Sequence, residues 1–207
     1  MFITFEGIDG SGKSTQIQLL ADKLRDMGHQ VKVLREPGGN TLSEQIRALL
    51  LTTSETVDIR CELLLFLAAR AQLTGTVIKP ALEKNIIVLC DRYTDSSVAY
   101  QGYGRGLSVQ DIDFCNKVAT DTLIPDATFV LDISTDSAAD RASSREQDKD
   151  RMERSGQDFF QRVRDGYKAI AENNPDRVVL LSATQSKQEL HEQIWQVIIS
   201  LPAFPGK

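Results

Sequence analysis

Cysteine is scarce in this chain of 207 residues. Cys61, Cys90 and Cys115 are odd in number, widely spaced and form no C-x-x-C, which argues against a disulfide framework or a thiolate metal site. Cys90 falls in the apolar run "IIVLCD" and Cys61 opens a helical pattern, so buried small side chains are expected there. The two histidines, His29 and His191, each stand alone among polar residues. They supply no zinc ligand set and are expected at the surface. A basic excess is missing as well: 24 Lys and Arg against 29 Asp and Glu give a net charge of −5. Nucleic acid and anionic membrane surfaces are therefore disfavoured as partners. No apolar run is long. "LLLFLAA" at 63–69 is closed by Glu62 and Arg70, well short of the roughly 20 residues a membrane span requires. No basic segment precedes a cleavable apolar stretch, so a cytoplasmic location is expected. Repeats and low-complexity tracts are absent, and "LPAFPGK" reads as a frayed tail. "NKVA" at 116–119 approaches the guanine-specifying N/T-K-x-D but lacks its aspartate, and nothing matches a transporter ATPase signature.

What is present points to phosphate. Gly7 to Ser14, within "GIDGSGKST", fits G-x-x-x-x-G-K-[ST], with an apolar strand pattern before it and a helical pattern after it. Such a loop turns backbone N–H groups inward around phosphate oxygens at a helix N-terminus. Gly7, Ile8, Asp9, Gly10, Ser11, Gly12, Lys13, Ser14 and Thr15 are thus candidate ATP-binding residues. Lys13 is expected to reach the β- and γ-phosphates and the Ser14 hydroxyl to ligate Mg²⁺. An acid that holds the metal through water is also expected at the end of a neighbouring strand. Asp91, followed directly by Arg92, is preferred over Asp132.

Around this motif, strand patterns at Phe2–Glu6, Val31–Arg35, Ile86–Asp91, Thr128–Ile133 and Val178–Leu181 alternate with helical ones. The helical patterns lie near 13–27, 41–51, 59–83, 108–121, 135–145, 157–172 and 186–199. The strands are near-continuous apolar runs, which predicts a parallel sheet covered on both faces and hence a doubly wound α/β fold in one domain, 1–207. The stretch at about 141–157 breaks the pattern. It is densely charged and apolar only at Ala142 and Met152, either a solvated linker or a mobile phosphate-covering lid. Arginines at 35, 47, 70, 92, 105 and in 141–154 suit two phosphorylated ligands, as a kinase acting on a nucleotide has. A kinase for another small acceptor, such as a nucleoside, and a nucleotide-dependent switch stay open at this point.

"FEGIDGSGKST", "REPGG" (35–39), "LFLAARAQL" (65–73), "DRYTDSSVAYQGYGRG" (91–106) and "SATQ" (182–185) occur in order across nearly the whole chain. Together they resemble the bacterial thymidylate kinase family. The resemblance implies a P-loop nucleoside-monophosphate kinase-like fold with a five-stranded parallel sheet and a short lid. It implies phosphorylation of dTMP to dTDP with ATP and Mg²⁺ in dTTP synthesis, and a homodimer paired through helices. It puts Phe66 and Arg70 on thymine, with Ser97 and Gln101 on the remaining base edge. Arg92 and Arg47 fall to the dTMP phosphate, Glu36 and Asp9 near the sugar and metal, and Tyr100 beneath the deoxyribose. Phe66 and Arg70 lie four apart in a helical stretch and so share a face, where one ring can stack while the guanidinium donates to thymine O4. Some family members carry an arginine inside the P-loop, but this one holds none. The charge on the transferring phosphoryl is then expected to be met by a lid arginine, Arg151, assisted by Arg141 or Arg145, with Lys13, Arg92 and Asp9 the other candidate catalytic residues.

Overall fold

The computed structural model describes residues 1–143, 151–152 and 155–205. Five parallel strands form one sheet in the order β2-β3-β1-β4-β5: β1 (Phe2–Glu6), β2 (Val31–Arg35), β3 (Ile87–Asp91), β4 (Ala127–Asp132) and β5 (Val178–Ser182). Every residue of the central β1 is buried, which is why "FITFE" carries no alternation. Its register pairs Phe5 with Asp91 on one side and with Phe129 on the other, bringing the C-terminal ends of β1, β3 and β4 to one edge of the sheet. Ligands of open parallel sheets bind outside those ends.

Helices cover both faces. α1 (Lys13–Asp26) and α9 (Lys187–Ser200) pack together, burying Leu20, Leu24, Ile194 and Ile198 in the main core with Ile3, Phe5 and Phe129. A second cluster, around Phe2, Leu34, Leu73, Val88 and Tyr93, fills the other side. The helix starts are chemically specified. Asn40 accepts from the Ser43 amide to cap α2 (Thr41–Thr52), Asp58 caps α3 (Ile59–Leu73), and Ser108 caps α6 (Val109–Thr120). Ser186 and Glu189 form a reciprocal capping box on α9.

The stretch expected as one helix over 59–83 is three pieces: α3, a π-helical turn at Thr74–Ile78 and α4 (Lys79–Glu83). Pro80 in the first turn of α4 has no N–H, and the preceding Lys79 amide reaches back five residues to the Thr74 carbonyl, so the π turn absorbs the break. By length and composition 59–83 could cross a membrane, yet 44% of its most apolar window is buried within the protein. It also carries Glu62 and Arg70 into the interior, as a core helix does.

The stretch 92–107 holds α5 (Thr94–Ser97) and a π-helical segment, Val98–Gly104, where no helix was expected, because three glycines at 102, 104 and 106 erase the period. α7 (Thr135–Ser143) follows β4, and α8 (Gln157–Asn173) packs along the π-helical segment. A methyl group at Gly104 would stand 2.7 Å from the Phe159 ring, and one at Gly166 2.7 Å from Tyr103. The seam is that close.

Three smaller expectations are corrected. Cys61 is exposed, lying on the outer face of α3, while Cys90 is buried as expected. Both histidines are half-buried: His29 packs edge-on against Phe204, and His191 Nδ1 is buried without a partner. Burial holds the His191 imidazole below its usual pKa. The C-terminal stretch is docked through 205, not frayed, because the Phe204 ring packs against Trp195 as well.

Candidate active site

The β1–α1 loop is wrapped tightly around its own lysine. Gly7 has φ 131° and its missing side chain leaves room for the Leu131 carbonyl, which a Cβ would approach to 2.6 Å. Gly10, at φ 85°, comes equally close to the Ala138 carbonyl of α7. Only glycine fits either position. Lys13 Nζ donates to the Gly7 and Ile8 carbonyls at 3.0 and 3.3 Å, with Asp9 at 3.9 Å. Burial lowers its pKa, with Arg92 adding to the effect. Ser11 Oγ is buried in this loop without a partner, an orphaned polar atom among the amides of the P-loop. Gly12 caps α1 in the left-handed conformation and Ser14 and Thr15 open its first turn, so amides and dipole face the same point.

Two acids compete for the metal role and geometry separates them. Ser14 Oγ donates to Asp91 Oδ2 at 3.1 Å, and Asp91 Oδ1 is buried and unpartnered. Asp132 is instead held by a two-bond ion pair with Arg164, at 2.6 and 2.9 Å, with Lys168 beside it. Among the described residues no cluster of three His, Cys, Asp or Glu could hold a metal alone.

Arg92 follows Asp91 and has a left-handed backbone, φ 70°, costly for any residue but glycine. The turn swings its guanidinium back over the P-loop, where it donates to the Gly7 carbonyl at 3.0 Å and to Asp9 at 2.8 Å. It also lies over the Tyr100 ring, 5.0 Å from the centroid. Behind it stands Glu6, fully buried, accepting from the Tyr93 amide, Ser96 and Tyr167. Burial is the main cause pushing the Glu6 carboxyl up to about 7.

Beyond Arg92 opens a cavity of about 100 Å³. Glu36, Arg47, Phe66, Arg70, Arg92, Ser97, Tyr100 and Gln101 all line it, so the structure brings every expected acceptor residue together. Asp9, Pro37, Leu51, Ser96 and Met152 complete the wall. Arg47 donates to the Pro37 carbonyl at 2.9 Å. Arg70 is buried, and four of its five donors are committed: Nε to Glu36, Nη1 to Ser97 and Asn116, and Nη2 to the Tyr93 carbonyl. Burial raises the Glu36 carboxyl to about 7 against the pull of Arg70, and Glu36 Oε1 is buried with no partner. The Tyr100 hydroxyl is likewise unpartnered, and burial raises its pKa well above the ordinary range.

Sequence reading missed Glu6, Asn116, Glu62 and Met152. Glu6 carries a signal, an acid closing an apolar buried strand; nothing in the local pattern around the others marks them as partners of the cavity.

The lid candidates divide. Arg145 lies outside the described residues, as does most of 141–157. Arg141, one turn beyond the Ala138 that touches Gly10, donates to the Ala183 carbonyl in "SATQ" at 3.1 Å. Arg151 is bonded to the Leu50 carbonyl and to Glu62, both at 2.7 Å, and not to the P-loop.

A parallel sheet of this strand order, with a P-loop after β1 and an arginine joining it to a second cavity, defines a P-loop nucleoside-monophosphate kinase. Residues 5–194 match the family described as thymidylate kinase. The chain is 48% identical over 208 residues to the thymidylate kinase of Prosthecochloris aestuarii, covering 97% of this chain and 93% of that one. It is 45% identical over 209 residues to that of Chlorobaculum tepidum, at 97% and 98% coverage. The crystal structure of thymidylate kinase from Ehrlichia chaffeensis superposes with a TM-score of 0.78 at 39% identity, covering 95% and 97% of the two chains. The chain belongs to the thymidylate kinase family.

Proposed function

We propose that the chain transfers the γ-phosphoryl group of ATP to dTMP, forming dTDP for dTTP synthesis, with the P-loop holding ATP and the Arg92-gated cavity holding dTMP. The observation that carries this reading is Arg92, bonded to Gly7 and Asp9 on one side and lining the acceptor cavity on the other. One guanidinium so placed meets the attacking phosphate and the transferring one together. An acceptor phosphate is already anionic, so the protein's work is alignment and charge neutralisation, and no general base is required.

Lys13 and the loop amides hold the donor phosphates, with Arg141 and Arg145 near the nucleotide. Ser14 and Asp91 would hold Mg²⁺; the unpartnered Asp91 Oδ1 suits an ion that keeps its waters and takes few protein ligands. When bound, the ion neutralises charge on the β- and γ-oxygens. Phe66 stacks on thymine and the fifth Arg70 donor meets O4, where cytosine would present a donor of its own. Ser97 and Gln101 take the rest of the base edge, Arg47 and Arg92 the phosphate, Tyr100 the sugar face, and the unpartnered Glu36 oxygen a sugar hydroxyl. Arg151 leaves Glu62 and reaches the γ-phosphate when the lid over 141–157 closes.

A coupled assay of ADP release tests the reading. dTMP is expected to be the preferred acceptor, dCMP and dGMP poor, and thymidine inert for want of the phosphate. Turnover of thymidine would favour a nucleoside kinase; slow hydrolysis indifferent to every acceptor would favour a switch.

The enzyme acts in the cytoplasm as a homodimer. Supporting the dimer, Leu49 on α2, Leu64 on α3, and Phe114 and Val118 on α6 are exposed apolar side chains, and α3 packs against both other helices. Phe114→Glu should convert the sedimenting species to monomer; a monomeric parent would refute the pairing.

A further inference from the structure

Glu62 belongs to no motif, yet four hydrogen bonds converge on its carboxylate. Gln101 donates Nε2 at 3.0 Å, Arg105 donates Nε and Nη2 at 3.3 Å each, and Arg151 donates Nη2 at 2.7 Å. The side chain is 1% exposed. Burial opposes the charge, but the bonds from Gln101, Arg105 and Arg151 outweigh it and hold the carboxyl below its usual range.

An ionised carboxylate only accepts. With two cations and an amide around it, Glu62 has no proton to offer, so the Gln101 amide must face it nitrogen first. Gln101 is itself buried and lines the acceptor cavity. The amide is planar, so fixing its nitrogen on Glu62 turns its oxygen the other way, and that oxygen accepts from no described residue. The cavity therefore meets an acceptor at Gln101. Thymine N3 carries a hydrogen; cytosine N3 carries a lone pair. A free glutamine could rotate by half a turn and donate to cytosine as readily as it accepts from thymine.

We propose that Glu62 is a specificity-determining positioning residue: it locks the Gln101 amide so that only its oxygen meets the base, admitting thymine N3–H and rejecting cytosine N3. The inference rests on the assignment of Gln101 to the base edge. Arg70 and Gln101 then present one donor and one acceptor in fixed order, and Glu62 removes the freedom that would blur the second.

The test compares kcat/KM for dTMP and dCMP in the parent, Gln101→Ala, Glu62→Asp, Glu62→Gln and the Gln101→Ala/Glu62→Asp double variant, with thermal melts of each. Aspartate keeps the negative charge among Arg105 and Arg151 but draws the carboxylate back by one methylene, lengthening its reach to Gln101, so it decides the matter if the Gln variant does not fold. The dTMP-to-dCMP ratio should fall about tenfold in either Glu62 variant, the worth of one net hydrogen bond, while KM for ATP stays within about twofold. In the double variant it should fall no further than in Gln101→Ala, since Glu62 acts through that amide. A folded Glu62→Asp with the parental ratio overturns the proposal. Should Gln101→Ala itself leave the ratio unchanged, the base-site reading fails instead.

Discussion

Replacing Arg70 by methionine keeps most of the side chain's volume and removes its charge. In the folded enzyme Arg70 and Glu36 are 1% and 3% exposed and 2.8 Å apart. The substitution leaves a buried carboxylate facing an apolar group, together with Ser97, Asn116 and the Tyr93 carbonyl stripped of their donor. Breaking one member of a buried pair costs about 3–5 kcal/mol. For a chain of this length that corresponds to a fall in Tm of roughly 6–20 °C. The deficit should depend on pH with a definite sign. Burial raises the Glu36 carboxyl to about 7 in the fold against its ordinary 4.5, so between those values the unfolded chain gives up the proton first. Parental stability therefore falls as pH rises through that window, by about 1.4 kcal/mol per unit from this group at full effect. Glu6, also raised to about 7, acts in the same direction. Without Arg70 the Glu36 pKa climbs further, so the gap between variant and parent should widen above about pH 7. Calorimetric melts at about pH 5.5, 7 and 8.5 measure this, and Arg70→Met/Glu36→Gln should recover most at the highest pH, where the stranded carboxyl is pressed to ionise. A single variant melting within about 2 °C of the parent at every pH, or a double variant worse than the sum of the singles, would refute the reasoning.

Arg151→Ala should lower kcat about 10³-fold or more with ADP affinity intact, and Arg151→Lys should restore little, because a point charge does not reproduce the guanidinium fork; near-parental turnover in the Arg141, Arg145 and Arg151 alanine variants would sink the lid. Tyr100→Ala should raise the use of ribothymidine monophosphate relative to dTMP, since the ring excludes a 2′-hydroxyl by crowding; unchanged discrimination would count against that placement. Asp91→Asn should raise the Mg²⁺ concentration for half-maximal rate more than Asp132→Asn does, and the reverse order would reassign the metal acid.

How much of this was legible depends on distance along the chain. The P-loop, Asp91 with Arg92, and Phe66 with Arg70 are local patterns whose spacing carries their geometry, and they came together as read. Asn116 is 46 residues from the Arg70 it accepts from, and Arg151 is 89 from Glu62. Such partners meet only because the sheet order juxtaposes their elements, and no period or turn signal records it. The π-helical segment was hidden for another reason: its glycines are there for packing, not turning, so composition suggested a loop. Phe204 looked like tail because one aromatic near a terminus gives no hint of the His29 and Trp195 rings waiting for it.

The two glycines of the α8 seam bear on how force moves through the enzyme. Phe159 occupies the space that a side chain at 104 would need, and Tyr103 the space at 166, so the seam is keyed at two points instead of one. Two keys fix both separation and sliding. α8 begins just beyond the proposed lid, and Tyr100 and Gln101 ride on the segment it is keyed to. Whatever tilts α8 must carry the floor of the cavity beside Arg92 with it, as an oar carries its rowlock. The stroke is then set by the seam. A single methyl group at 104 or 166 should disturb acceptor binding from a position that never meets the substrate.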